Sequence, residues 1–413
     1  MKSIQQVIIV LCGVTIFGCH TLEIKSFKRE WKLQRNVTFY WSRRISNFDN
    51  SFLYAACSEQ GLPEEIKCNV TIETPSNPWN SNSTHKDTCK LRLSANLDSR
   101  QKNEITKLVS VDRFADRKAI LVWWERPQNS QFQIQNIKVS ILNMEFCVTT
   151  HLTFPVDVDR HILTANLVLY PNSFEVTISN RKICGTDACR VTHDINGLPI
   201  GSPNPFSTGL VSSSIKSVSL NSSEKGFYVS GSDIGAWKFR AMKVNPNGDK
   251  TNLIKVSVSD PRHVYSVSSN AHEYYGICLM GERKVYCAQF DDKASVRLNA
   301  TLKVPGSTQW IGVHNLAEGG LLLLSGNCNG DKCRNFKVTR IKSSENHDEP
   351  VEVADLQIKC SNVPQELVVD TMEYGNDVCF YFACAHAQET PGKGLRKSLR
   401  FSSKCLNKQA FGL

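Results

Sequence analysis

The sequence predicts an all-β chain folded as a single β-propeller of seven blades, and three observations carry that expectation. Seven apolar, β-rich runs start near Phe52, Leu121, Phe174, Phe227, Tyr275, Leu321 and Val378, and each meets a short polar turn and then a second strand. After a long first interval the starts recur every 46 to 57 residues, close to the ~40–50-residue period of four-stranded blades set radially around a channel. In four of these hairpins a cysteine pair brackets the turn. Six or eight blades stay open on the intervals alone. A sandwich also uses short strands and turns but has no need of self-similarity at this period.

The chain begins with Lys2 and an eleven-residue apolar run, Val7 to Phe17. That is too short to cross a bilayer and has the length of a signal-peptide core. A buried helix is the competing reading, and the basic start and polar flank favour the signal peptide. Residues 1–18 are therefore expected to be removed after Gly18, leaving 19–413 as one propeller domain. No other stretch nears the ~18 apolar residues of a spanning helix, the run Ala119–Trp124 reaching six, so no membrane span is expected.

Five acceptor patterns for N-glycosylation follow, at Asn36, Asn69, Asn82, Asn221 and Asn299, each in a polar segment or near a strand edge. Behind a signal peptide they point to a eukaryotic secretory route and an extracellular location. Cysteine usage agrees. Of 16 cysteines, Cys12 lies in the leader and Cys19 at its end, and fourteen remain for seven bridges.

Hairpin geometry proposes four of these bridges, because directly opposed residues on antiparallel strands come close enough to bond. They are Cys57/Cys68, Cys184/Cys189, Cys278/Cys287 and Cys328/Cys333. Cys379 and Cys384 are five apart on one strand and point to opposite faces. Folding the last hairpin about Pro391-Gly392-Lys393-Gly394 brings Cys379 within one position of Cys405. Elimination then leaves Cys384 with Cys360 and Cys89 with Cys147. Zinc is the rival reading of paired thiols, but the spacings differ from C-x2-C and a secreted chain oxidises its cysteines. No metal or cofactor is expected.

Between the first two hairpins the polar stretch near 75–88 reads as an insertion in the first blade. Helix-like composition is confined to Asn103–Val109 and Val351–Leu356, which are equally readable as edge strands. Further on, Gly226 to Val244 and Gly319 to Val338 repeat one plan: an apolar strand, a Gly/Ser/Asn/Asp turn, and an alternating strand. The first strand of each pair should be buried on both faces between blades and the second should lie further out.

Two segments resemble known propeller families. Ser230-Gly-Ser-Asp-Ile-Gly-Ala-Trp237 is similar to the Asp-box of sialidase-type propellers, with Gly231 at the serine position and Trp237 one position early; that resemblance implies a blade-turn stabiliser and no catalysis. Cys184-Gly-Thr-Asp-Ala-Cys189 is similar to the Cys-Gly-Thr-x-Ala stretch of semaphorin propellers. Each likeness covers under a dozen residues and implies fold alone.

Catalytic signatures are sparse. The sequence holds no H-E-x-x-H, G-x-S-x-G, Walker or EF-hand pattern. Asp157 and Asp159, beside Arg160 and His161, share a strand face on which carboxylates could serve acid–base chemistry or a cation, against the plainer reading of a solvated inter-blade loop. Asp233, Asp249 and Asp331 sit in Gly/Asn turns, where carboxylates cap local N–H groups.

Charge is more informative. Forty-nine basic and thirty-nine acidic residues give +10, and the excess gathers at the two ends. Lys25, Lys28, Arg29, Lys32, Arg35, Arg43 and Arg44 lie near the N-terminus and Lys393, Arg396, Lys397, Arg400, Lys404 and Lys408 near the C-terminus. If the strand Val37–Trp41 pairs with the C-terminal hairpin, Arg43 and Arg44 approach Arg396, Lys397 and Arg400 and form a polyanion site. In a secreted chain the counter-charge is an anionic glycan or an extracellular protein, and no nucleic acid is expected. The expected function is thus a monomeric, non-catalytic binding protein, in a setting such as venom or saliva, with a secreted glycan-processing hydrolase as the alternative.

Overall fold

The computed structural model describes residues 7–9, 22–31, 37–44, 52–59, 65–75, 84–95, 97–98, 101–115, 117–159, 163–211, 214–219, 226–234, 238–257, 265–269, 273–281, 284–305, 308–329, 332–342, 350–356, 358–360, 368–390 and 394–412. Among these residues the strands form seven antiparallel sheets, each built from strands consecutive in sequence except the last. The first runs Val37–Arg44, Phe52–Glu59, Glu65–Pro75, Thr84–Ser94. The second begins with Leu97–Asp98 and Gln101–Ala115 and continues through Lys118–Pro127 and Gln133–Asn143 to Val148–Asp159. The third to sixth each follow the same four-strand meander, starting at Thr164, Lys216, Tyr265 and Thr308, and in the sixth the short strand Lys359–Cys360 also pairs with Lys332–Ile341.

The seventh sheet draws on both ends of the chain. Val368–Tyr374, Asp377–Thr390 and Gly394–Asn407 are followed outward by Leu22–Trp31 and then Val7–Ile9. The strand that joins the C-terminal hairpin is thus Leu22–Trp31, paired from Ile24 opposite Leu406 to Trp31 opposite Leu399. The expected strand, Val37–Arg44, instead opens the first sheet against Phe52–Glu59. Local pairing explains the difference: Val37–Arg44 reaches Phe52–Glu59 across only 45–51, so it closes a short loop at far lower entropic cost than one spanning the chain.

The core shows why this is a propeller. Six of the seven apolar runs are the second strand of a sheet, and that of the second sheet is its third; in the second, fourth, fifth and sixth sheets the two faces of this strand feed different cores. In Lys118–Pro127, Ala119, Leu121 and Trp123 pack with Leu53, Cys57 and Val70 of the first sheet. Ile120, Val122 and Trp124 pack with Phe174, Val176 and Ile178 of the third. Phe227 and Val229 meet Val168 and Phe206 of the third sheet, whereas Tyr228 faces Tyr275 and Ile277 of the fifth. The same division continues from the fifth sheet to the sixth and from the sixth to the seventh. Burial on both faces between stacked sheets favours continuous apolar runs such as Ala119–Trp124 and Leu321–Leu324, whereas Ser173–Ser179 alternates and buries Glu175 and Thr177 on its second face. The third strands alternate more, as in Lys238–Val244.

Tight entry into these buried strands depends on glycine. Gly226 (φ +82°) precedes Phe227, and a Cβ there would lie 2.1 Å from the Val244 carbonyl oxygen. Gly320 (φ +92°) precedes Leu321 in the same relation to Ile341 O. Both segments with helix-like composition are strands: Asn103–Val109 lies within Gln101–Ala115 and Val351–Asp355 within Pro350–Asp355. The stretch near 75–88 connects two strands, residues 84–88 already belonging to Thr84–Ser94, while 76–83 lie outside the described residues.

Candidate functional site

Five bridges are present among the described residues. Cys57–Cys68, Cys278–Cys287 and Cys379–Cys405 join directly opposed residues of neighbouring strands. Cys184–Cys189 closes the hairpin turn of the third sheet, where Asn180 caps a single helical turn, Arg181–Cys184. Cys89–Cys147 ties the outer strand of the first sheet to a turn of the second. The backbone sets Cys333 opposite Cys328 on one side and Cys360 on the other, and Cys384 opposite Arg400. The side chains of those four cysteines lie outside the described residues.

The basic residues of the two chain ends meet in the seventh sheet through a strand that sequence reasoning did not select. Register places Lys25 opposite Cys405, Ser26 opposite Lys404, Lys28 opposite Ser402, Arg29 opposite Phe401 and Glu30 opposite Arg400. With a side-chain period of two, Lys28, Arg396, Arg400 and Lys404 occupy one face of this strand pair and Lys25, Arg29 and Lys397 the other. Lys404 is half-buried, and desolvation lowers the pKa of its ammonium. Arg396 and Lys397 stand opposite Gln388 and Ala387. Ala383 is the last residue of its strand paired to the inner strand, so 384–390 and 394–400 run on as a ribbon past it.

Arg43 and Arg44 are elsewhere. They stand opposite Leu53 and Phe52 in the first sheet, and no strand pairing joins them to Arg396, Lys397 or Arg400. The expected convergence at Arg43 and Arg44 is replaced by one at Lys25, Lys28 and Arg29. The available signal was the alternation in Leu22-Glu-Ile-Lys-Ser-Phe.

The described carboxylates serve local structure. Asp157 and Asp159 lie exposed on the outer strand of the second sheet, alternating with buried Val156 and Val158. Asp157 accepts a hydrogen bond from Gln133 Nε2, and Lys182 Nζ donates to its carbonyl at 3.1 Å. Arg160 and His161 lie outside the described residues. In the Asp-box-like turn, Asp233 takes the Arg240 guanidinium, which also donates to the carbonyls of Thr208 and Gly209 at 3.0 and 3.1 Å; Trp237 lies outside the described residues. Asp249 accepts from Asn247 Nδ2 at 2.6 Å, and Asp331 lies outside the described residues.

Asp187 accepts from Ser207 Oγ and from the Thr208 and Gly209 N–H groups at 2.9, 2.9 and 2.6 Å. Burial alone would raise its pKa, but those hydrogen bonds outweigh it and hold the carboxyl below its ordinary value. Asp291 is held low in the same way, burial being overcome by the Ser295 and Lys293 N–H groups and Arg297.

Several acidic side chains are buried in ion pairs, Glu175 and Glu125 among them. Glu175 accepts from Tyr170 OH at 3.0 Å and Thr192 Oγ1 at 3.2 Å and faces Arg190 at 3.7 Å. Glu125, fully buried, takes Asn136 Nδ2 at 2.8 Å and faces Lys138 at 3.7 Å. His151 Nδ1 lies 2.8 Å from Ser140 Oγ, which also accepts from Trp123 Nε1. Burial and then Lys138 lower the pKa of that imidazole. Among the described residues no group of three or more His, Cys, Asp or Glu is arranged to hold a metal ion, and no helix is long and apolar enough to cross a membrane.

Of the glycosylation candidates, Asn69 and Asn299 are exposed on strands. Asn36, Asn82 and Asn221 lie outside the described residues.

No family model matches the chain, and no curated protein matches it. Among solved structures it is similar to prolyl oligopeptidase B from Galerina marginata, at 9% identity and TM-score 0.43, over 83% of this chain and 46% of that one. The chain thus spans under half the length of that protein. It is also similar to the β-propeller domain of the Trilobed protease from Pyrococcus furiosus, at 10% identity and TM-score 0.39, over 88% of this chain and 94% of that one. The Dos1 propeller is similar at 9% identity and TM-score 0.39, over 66% and 62%.

Proposed function

We propose that the chain is a secreted, N-glycosylated propeller of seven blades that binds an anionic extracellular glycan, without catalysis, on the basic outer strands of its terminal sheet. The observation that carries this reading is the register of Leu22–Trp31 on Gly394–Asn407, which sets basic residues from both chain ends side by side. A rigid strand pair with cations on both faces suits a linear polyanion that passes along it, since long-range attraction sums over the charges. Secretion accords with the five bridges and with the exposed acceptors Asn69 and Asn299. Removal of residues 1–18 would take away Val7–Ile9, which cover Leu22–Ile24, and bare the outer edge of the basic strand. The wider class of extracellular ligands, acidic proteins included, follows the same charge logic.

The test is retention of the secreted protein on immobilised heparin across a salt gradient. Elution should move to lower salt when Lys25, Lys28 and Arg29 are changed to glutamate, because exposed charges are screened beyond ~8 Å at physiological ionic strength. Arg43→Glu with Arg44→Glu should shift elution much less for each charge reversed. Equal shifts per reversed charge in both variants would assign the binding to net charge and overturn the site.

A further inference from the structure

We infer that the hairpin bridge Cys57–Cys68 and the glycan on Asn69 compete during synthesis, so that closing the bridge limits glycosylation at that asparagine. The inference rests on the secretory reading above. The acceptor sequence Asn69-Val70-Thr71 follows Cys68 without a spacer. Its strand, Glu65–Pro75, is the third of four in the first sheet and is paired on both sides: Asn69 lies between Ala56 and Lys90, and Thr71 between Tyr54 and Thr88. The Asn69 side chain faces solvent, so a finished glycan is compatible with the fold. The Thr71 hydroxyl is not free: Thr71 is 2% exposed and its Oγ1 lies 3.1 Å from Thr88 Oγ1.

Transfer of a glycan requires the hydroxyl and the amide of the acceptor triplet together, on a segment released from its strand neighbours. The amide nitrogen of Asn69 bonds to the anomeric carbon of a lipid-pyrophosphate-linked oligosaccharide, the carbon–oxygen bond to the pyrophosphate breaks, and the amide loses a proton. Bridge formation is the rival step. The two thiols of Cys57 and Cys68 lose two protons and two electrons to a protein disulfide, which is reduced to a dithiol. Once made, the bridge fixes the register of Phe52–Glu59 on Glu65–Pro75 one residue from the acceptor, and the triplet no longer opens.

Asn299 offers the contrast within the same chain. It lies on Val296–Lys303, the outer strand of the fifth sheet, paired only on its Ala288 side, and Thr301 is exposed. Its nearest bridge, Cys278–Cys287, joins the two strands before it; Cys287 stands opposite Ala300, but neither cysteine belongs to the acceptor's own strand. Asn299 should therefore be modified whether or not bridges have closed.

The experiment is site-resolved glycopeptide mass spectrometry on full-length chain made in secretory eukaryotic cells. Wild type should carry glycan on most Asn299 and on a minority of Asn69. Cys57→Ser with Cys68→Ser should move Asn69 from a minority to a majority of molecules and leave Asn299 unchanged, and Cys278→Ser with Cys287→Ser should leave Asn69 as in wild type. Because the first variant can fail to be secreted, occupancy is also read on wild-type nascent chains after a brief pulse of dithiothreitol in the cells, which should raise Asn69 in the same way. Full or zero occupancy at Asn69 that neither treatment changes overturns the competition. Absence of glycan at Asn299 as well would overturn the secretory reading instead.

Discussion

Arg190→Met should be among the most damaging single substitutions in the molecule. The guanidinium is 6% exposed and makes three contacts: the Glu175 carboxylate at 3.7 Å, the Pro246 carbonyl at 3.1 Å, and the Phe227 ring, whose centroid lies 4.9 Å away. Glu175 belongs to the third sheet, and Phe227 and Pro246 to the fourth sheet and the turn after its third strand. Removing one partner of a buried ion pair costs about 3–5 kcal/mol, because the remaining charge is left without its counter-ion. Tyr170 OH and Thr192 Oγ1 still serve Glu175, which places the expected loss near the lower bound, at about 3 kcal/mol. Urea unfolding followed by tryptophan fluorescence and far-ultraviolet circular dichroism reads this as a fall in midpoint at constant slope. Glu175→Gln removes the stranded charge, so Arg190→Met should cost clearly less in that background. A loss under about 1 kcal/mol, the range of exposed pairs, or the same loss with Glu175→Gln, would refute the reasoning.

Other positions give sharp expectations. Gly226→Ala should destabilise by more than about 1 kcal/mol, since both its positive φ and the Val244 carbonyl oppose a Cβ; its secreted yield and melting temperature check this. Tyr228→Phe removes the buried bond to the Asp291 carbonyl at 2.7 Å and should cost about 1–3 kcal/mol by urea midpoint. The pKa of Tyr228 is raised above its ordinary value by burial first and by Asp291 next, so ultraviolet titration should show it un-ionised where free tyrosine is half-ionised. For Asp187 the folded pKa lies below the unfolded one. Its stabilisation is therefore present above the ordinary carboxylate value and is lost as pH falls through the folded one. Asp187→Asn should thus be less stable than wild type near neutrality, and the gap should close in acid. Opening Cys278–Cys287 by double serine substitution should cost about 2–3 kcal/mol on the chain-entropy view, read again by urea midpoint.

Much of the fold was legible because in the second, fourth, fifth and sixth sheets one strand faces two cores. Such a strand is largely apolar, so Leu121, Phe227, Tyr275 and Leu321 announced themselves at the repeat period. Directly opposed cysteines were legible for a related reason: antiparallel register is set by the connection between the strands, and those at 60–64 and 281–283 are short. The outer strand Leu22–Trp31 was not. Its partner Gly394–Asn407 lies at the far end of the chain, and nothing local ties the two, whereas Val37–Arg44 has the apolar and aromatic content of a strand and a nearer partner. The Arg190 and Glu175 pair was also hidden, since cross-strand neighbours of this kind carry no spacing signal, and the aromatic ring of Phe227 is supplied by the next sheet.

The central claim, that strands from both chain ends make one polyanion site, is tested most directly by calorimetric titration of a heparin-derived oligosaccharide into four forms of the purified protein. These are wild type, Lys25, Lys28 and Arg29 changed to glutamate, Arg396, Lys397 and Arg400 changed to glutamate, and all six together. The account predicts that either triple change removes most of the affinity and that combining them removes little more, because the residues of one site fail together. Losses that simply add, or an affinity that survives all six changes, would contradict it.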